Sequence, residues 1–307
     1  MNMKVNNNNN PFQLTDPEVL TKLSKIILRA RSPVEGSFSG IHRSHNKGSS
    51  VEFAQYRKYS QGDDISRLDW KVFARTDRLY VKEFESDTNM RCHIILDSSS
   101  SMNFENNQNI KKIIVAKKIA ATLAQIAIMQ GDAVGIQCFN EKISHDIPAK
   151  NNPAHLKVIF DIIKELSPKG KTNIIDVLHS LAEKIRRRAL IILISDLYTE
   201  DLDSLLDCFQ HMRHRKHDLA VFHLIDPQEM SLDFNRPIRF KDFETNLSIQ
   251  TDPLYIRNEY QNQFEAFLKK IKYGCLEYKV DYWLINPSLP YDKALEKFLL
   301  SRSKRKG

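Results

Sequence analysis

The stretch "HIILDSSSSMNF", residues 93–104, decides how the chain is read. An apolar run stops at an aspartate and opens into four serines. Packing gives no reason for so many hydroxyls at the end of a buried strand. In an open parallel sheet, however, the carboxyl ends of the strands are where ligands bind. Two other stretches have the same character. The most apolar run of the chain, Ala189 to Ser195, ends at Asp196 in "ISDLYTE" (194–200). The loop "SPKGKTN" (167–173), just before a helical pattern over 174–187, carries Thr172.

Outward from this stretch the pattern is regular. Residues 91–96 read as a short buried strand and 110–129 as a helix, with Ile113, Ile114, Ala120, Ala121 and Ala124 on one side. Strands over 133–139 and 142–147 form a hairpin around Asn140-Glu141. Helices follow at 153–166, 174–187 and 201–213, with a strand at 218–225. Residues 228–252 break the rhythm as a hairpin excursion, and helix 253–274, strand 279–285 and helix 289–301 complete the domain. Alternation of this kind predicts an α/β fold with a mostly parallel sheet and one antiparallel edge strand. The expected organisation is a tail over 1–13, an N-terminal extension over 14–90, the α/β domain over 91–301 and a basic tail over 302–307. A helix starting near Pro17 opens the extension, and Leu79 to Glu85 alternates like a strand. The block around it mixes aromatics and both charge signs without one period.

Composition bounds the function. The 307 residues carry a net charge of +8, with 41% hydrophobic and 27% charged residues, which fits a soluble globular protein. Arg302, Lys304 and Arg305 have no acid near them in sequence, and the remaining excess is diffuse, so nucleic-acid binding is not expected. "MNMKVNNNNNPFQ" has no apolar core, and no run approaches the ~18 residues of a membrane span, so a cytoplasmic protein is expected. Cys92, Cys138, Cys208 and Cys275 form no paired motif and read as buried, reduced thiols.

Asp97, Ser99 and Ser101 form D-x-S-x-S. With Thr172 and Asp196 they make two carboxylates and three hydroxyls, which suits a hard divalent cation such as Mg²⁺ (or Mn²⁺). Neutral oxygens leave the ion's charge poorly compensated, so it favours one more anionic ligand, which a partner's Glu or Asp can supply. The competing reading of Asp97 to Ser101 is a turn capping the next helix, and of Thr172 a helix cap.

These residues resemble the metal-ion-dependent adhesion site of von Willebrand factor A domains. Upstream, "EFAQYRKYSQGDDISRLDWKVFARTDRLYVKEFE" (52–85) resembles the signature of the bacterial domain-of-unknown-function 58 family, as do "GDAVG" (131–135), "LIDPQE" (224–229), "DFETN" (242–246) and "YDKAL" (291–295). The resemblance covers roughly residues 40–301. It implies a von Willebrand factor A fold, the Rossmann-like form of such an α/β sheet with helices on both faces. It also implies no catalytic activity, and a role as adaptor or co-chaperone for a MoxR-type AAA+ ATPase or its client. It also implies that the hydroxyls of Ser99, Ser101 and Thr172 coordinate directly, while an aspartate often acts through water. Many members have Gly-Gly before the threonine. Here it is Gly170-Lys171, and a lysine turned inward would lower cation affinity; turned outward, Lys171 can meet a partner.

Other groups read as structure. Asp63, Asp64, Asp69 and Trp70, with Arg67, Arg75 and Arg78, read as a charged aromatic platform rather than a second site. His211, His214 and His217 read as the solvated basic end of a helix. An enzyme finds little support: no nucleophile elbow and no phosphate loop is present, and the position two after Asp97 is Ser99 where an aspartyl phosphatase wants a second Asp. A metal-dependent phosphoesterase on the same strand ends is the alternative.

Overall fold

The computed structural model describes residues 14–30, 51–60, 68–86, 90–234, 238–241 and 248–303. The tail over 1–13, Lys304, Arg305, Asp63, Asp64, Arg67 and "DFETN" lie outside them. The chain divides into two compact units, residues 32–89 and the remainder.

The larger unit begins with α1 (Pro17–Leu23), started by Asp16 and a proline in its first turn. The sequence assigned this helix to the extension over 14–90. It packs instead on the last helix of the chain: Leu23 is fully buried, and the Lys22 ammonium lies 2.6 Å from Glu296.

The smaller unit pairs β1 (Val51–Lys58) with β2 (Tyr80–Ser86) in an antiparallel ladder, with α2 (Trp70–Thr76) between them. Neither β1 nor α2 was expected. Asp69 caps α2, accepting from the backbone N–H groups of Lys71 (2.9 Å) and Val72 (3.3 Å). Trp70 stays exposed, edge-on to Phe73.

The sheet of the larger unit is built from β3 (Arg91–Asp97), β4 (Ala133–Phe139), β5 (Ile143–Lys150), β6 (Leu190–Ser195) and β7 (Asp218–Leu224). Its sixth strand is β10 (Asp281–Ile285). The order is β10-β7-β6-β3-β4-β5, with every pair parallel except β4 and β5. This is the predicted architecture, antiparallel edge included. β8 (Ile238–Lys241) and β9 (Ser248–Thr251) pair as the hairpin expected within 228–252.

The connecting helices are α3 (Lys112–Met129), α4 (Pro153–Glu165), α5 (Ile174–Lys184), α6 (Leu202–His214), α7 (Pro227–Ser231), α8 (Pro253–Glu277) and α9 (Tyr291–Ser303). One core joins Ile95, Ile191, Leu193, Leu219 and Val221 of the sheet to α5, α6 and the end of α8. Residues one step along each strand point to the other face. There Phe222 meets Phe298 of α9 edge-on at 5.0 Å. Burial on both faces is why β3 and β6 read as unbroken apolar runs. α3 is buried over most of its circumference, and Ile114, assigned to its apolar side, is instead partly exposed.

The motif Gly131–Gly135 has a structural explanation. Gly131 turns the chain at φ 85°, and Asp132 accepts the N–H of Met90 at 2.8 Å, fixing the entry to β3. A Cβ on Gly135 would stand 2.7 Å from the Ile147 carbonyl oxygen, so only glycine lets β5 approach β4 there.

The C-terminal helix corrects the basic tail. α9 continues to Ser303, and Arg302 is buried, bonded to Asp218 (2.6 Å), Asp281 (2.7 Å) and the Arg29 carbonyl (3.0 Å). It is a core residue that pins α9 to the starts of β7 and β10. His217 is also buried, not solvated, and burial holds its imidazole down at about 4. The four cysteines are buried and unpaired, as expected.

Candidate functional site at the strand ends

From β3 the chain runs through α3 to β4 on one side; β6 later adds to the other side. The carboxyl ends of β3 and β6 therefore flank a topological switch point, where open α/β sheets bind ligands. Asp97 is the last residue of β3, and Asp196 follows the last residue of β6.

Asp97 is fully buried. One carboxylate oxygen accepts the Ser99 N–H at 2.9 Å; the other accepts the Ser195 hydroxyl at 2.6 Å. Ser195 thus ties the two strand ends together. The same hydroxyl accepts the Leu197 N–H at 2.9 Å, and Leu197 takes a left-handed φ of 52°. A bulky residue there costs about 1–3 kcal/mol, and it marks a sharp turn that sets the direction of Asp196.

Ser99 and Ser101 place their hydroxyl oxygens 3.0 Å apart, and Ser101 also bonds the Asp196 carboxylate. The threonine loop is stitched to this turn by backbone: Lys169 N–H donates to the Ser98 carbonyl and Ser100 N–H to the Gly170 carbonyl, each at 2.9 Å. Gly170 sits at φ 75°, which favours glycine, and Thr172 lies two residues further, its hydroxyl oxygen buried. The structure thus brings Asp97, Ser99, Ser101 and Asp196 together and fixes the loop of Thr172 against them. Lys171 points away: its side chain is exposed, and its N–H donates to Glu141 at 3.3 Å.

A different lysine turns inward. Lys112, at the start of α3, is buried, with its ammonium 2.7 Å from Asp196 and 2.9 Å from Glu229. Glu229 closes a capping box on α7, accepting the Asp226 N–H at 2.9 Å with its other oxygen. Sequence reasoning missed Lys112, Ser195 and Glu229. The signal for Lys112 was its place on the same stripe as Val115, Ala116 and Ile119, where a solvated lysine does not belong.

The electrostatics follow from burial. Burial, then the nearby Asp196 charge, pushes the Asp97 carboxyl up to about 7, against its bonds to Ser195 and Ser99. Burial would raise Asp196 too, but the Lys112 ammonium holds it below the ordinary carboxylate range. Burial opposes the charge on Lys112, yet Asp196 and Glu229 together hold it firmly protonated. His223 accepts the Tyr282 hydroxyl proton and donates its other N–H to the Asp196 carbonyl, both at 2.8 Å; burial keeps it neutral, down at about 4.

The spacing of the two serine hydroxyls is compatible with a small divalent ion. Adjacent vertices of an Mg²⁺ octahedron stand about 2.9 Å apart, close to the 3.0 Å between the Ser99 and Ser101 oxygens. Ionised, Asp97, Asp196 and Glu229 carry three negative charges against the single positive charge of Lys112. Among the described residues no three His, Cys, Asp or Glu are grouped to hold a metal. A cation here would lean on hydroxyl oxygens.

A family model described as "Protein of unknown function DUF58" matches residues 55–267. An uncharacterized protein of Mycobacterium tuberculosis is 23% identical over 76% of this chain and 74% of its own length. Among solved structures, an aerotolerance-related membrane protein from Bacteroides fragilis is similar at TM-score 0.47 and 18% identity, over 71% of this chain and 100% of that one. The SpRpn10 VWA domain is similar at TM-score 0.41 and 12% identity, over 72% and 99%. Likeness at this level carries no weight about activity. Among the described residues no helix is long and apolar enough to cross a membrane.

Proposed function

Because the chain belongs to the DUF58 family, whose function is unknown, its role has to be read from its own geometry, and we propose that it is a protein-binding adaptor that grips a partner's carboxylate through a divalent cation. The proposed ion is Mg²⁺ or Mn²⁺, and the proposed holders are Asp97, Ser99, Ser101, Thr172 and Asp196. The proposed partner is a MoxR-type AAA+ ATPase or its client. No catalytic step of the chain's own is part of this reading.

One observation carries it. Two carboxylates, Asp97 and Asp196, are buried side by side at the switch point, and Asp97 is pushed up to about 7 in consequence. Lys112 compensates Asp196, which leaves the buried Asp97 carboxyl without a cation of its own among the described residues, and a divalent ion would supply one. When bound, the ion offers a Lewis-acidic position to an incoming carboxylate. The chain's residues do the rest. Ser195 and the Ser99 N–H orient Asp97, and His223 fixes the Asp196 backbone. Neutral hydroxyls leave charge for the partner to compensate, and the exposed Lys171, one residue before Thr172, is proposed as a further contact for an acidic partner.

The test is capture of partners by the immobilised chain with Mg²⁺ and with EDTA, read by mass spectrometry, together with direct binding to a purified MoxR-type ATPase. Chelation or Asp97→Ala should abolish capture while the circular dichroism spectrum stays folded. Capture undiminished in the folded variant would retire the proposal.

A further inference from the structure

β3 has a second end. Arg91 opens the strand, about 20 Å from Asp97 along it. There, beside the C-terminal end of α5, lies a cavity of about 310 Å³. This is near the lower bound of small-molecule sites. Its lining sets Arg91, Lys184, Arg186 and Arg187 against one acid, Asp146. Asp146 is already engaged by Lys184 and by the Gln137 amide. The three guanidinium groups have no ion pair among the described residues. Three arginines that line one concavity without an ion pair among the described residues suit an anion, and their planar forks match phosphoryl oxygens.

The floor narrows the chemistry. Gln137 donates its amide N–H to Asp146 at 3.2 Å, so its carbonyl oxygen is the end facing His93, 3.3 Å away. That oxygen can only accept, so His93 Nδ1 carries the proton and Nε2 keeps its lone pair. Nε2 has no partner among the described residues, although His93 is buried and lines the cavity. Burial keeps this imidazole neutral. A neutral acceptor in the same cavity lining as three arginines suits a ligand that carries a hydroxyl as well as a phosphate.

We propose that this cavity binds a small phosphorylated hydroxy compound, of the sugar-phosphate class, with the phosphate on Arg91, Arg186 and Arg187 and a hydroxyl on His93 Nε2. The site is independent of the cation site and stands or falls without it.

Calorimetry on the full chain in EDTA, which silences any metal-mediated phosphate binding, tests it with ribose 5-phosphate, inorganic phosphate and a single-stranded oligonucleotide. Ribose 5-phosphate should bind more tightly than inorganic phosphate. The double variant Arg91→Gln/Arg187→Gln should weaken it about tenfold or more. The control Lys272→Gln/Lys293→Gln, which removes the same charge from exposed helix surface, should leave it nearly unchanged. His93→Gln should erase the preference for the hydroxylated probe. No binding of ribose 5-phosphate, equal weakening by the control, or tighter binding of the oligonucleotide at the same arginines would each overturn the assignment. The first two would remove the site, and the third would make it a nucleic-acid surface.

Discussion

The ammonium of Lys112 stands 2.7 Å from the Asp196 carboxylate, with both side chains withdrawn from solvent. A lysine in this position is a tethered cation inside a site otherwise rich in acid. It lowers the charge available to any divalent ion and keeps the site from collapsing by repulsion without one. Breaking a buried pair by removing one partner costs about 3–5 kcal/mol. Lys112→Met should therefore lower stability in EDTA by an amount in that range. The freed charge should also tighten Mn²⁺ binding, measured by electron paramagnetic resonance of the free ion, and Mg²⁺ should restore part of the lost stability. Unchanged Mn²⁺ affinity would mean that Lys112 only packs.

The burial of Asp97 beside Asp196 predicts an inverted pattern for Asp97→Asn. The amide keeps an acceptor for the Ser99 N–H but removes one of two buried like charges. Above pH 7 in EDTA the variant should be at least as stable as the parent, since it no longer buries that charge. Adding Mg²⁺ should raise the melting temperature of the parent only. At one hundred times the dissociation constant a bound ion is worth about 2.7 kcal/mol. Equal response of the two proteins to Mg²⁺ would place the cation elsewhere.

How far the sequence carried depended on where the information lay. β3 and β6 were legible because strands covered on both faces leave continuous apolar runs, and Asp97 and Asp196 stood out as the residues at which those runs stop. The edge hairpin β4–β5 was legible from alternation and a short polar turn. Lys112 was not, because "NIKKII" opens a helix and a lysine there looks solvated until its partners are known. Those partners are 84 and 117 residues away. Arg302 was misread for the same reason: Asp218 and Asp281 each begin a strand and meet it only when the sheet forms. β1 and α2 were missed because their block mixes rings and charges without a period.

Arg302 gives a sharp contrast between two substitutions. It satisfies two carboxylates, Asp218 and Asp281, and lies over the Phe298 ring at 5.0 Å. Arg302→Ala removes the cation that the two buried acids share, leaving Asp218 with the more distant Arg213 at 3.8 Å, and should cost about 3 kcal/mol in urea unfolding. Arg302→Met combined with Asp218→Asn and Asp281→Asn removes the charges together and should recover much of that loss. If Arg302→Ala unfolds at the parental urea midpoint, the buried triad contributes nothing and α9 is held by its apolar face alone.

Asp132 and His217 predict opposite pH dependences. Burial pushes the Asp132 carboxyl up to about 7, against the helping bond from the Met90 N–H. An unfolded aspartate titrates near 3.9, so between about pH 4 and 7 the folded chain holds a proton that the unfolded chain has lost. Stability from this group is full below that window and falls as pH rises through it. His217, held down at about 4, binds fewer protons folded than unfolded between about 4 and 6.5, so its contribution is lost as pH falls. In the parent the two partly cancel. Asp132→Asn keeps an acceptor for Met90 and removes the first effect. Its stability relative to the parent should be near zero difference at pH 4 and should grow in the variant's favour by up to about 1.4 kcal/mol per pH unit until pH 7. Urea midpoints of both proteins across that range measure the difference, and a difference that stays flat with pH would show that Asp132 is ionised throughout.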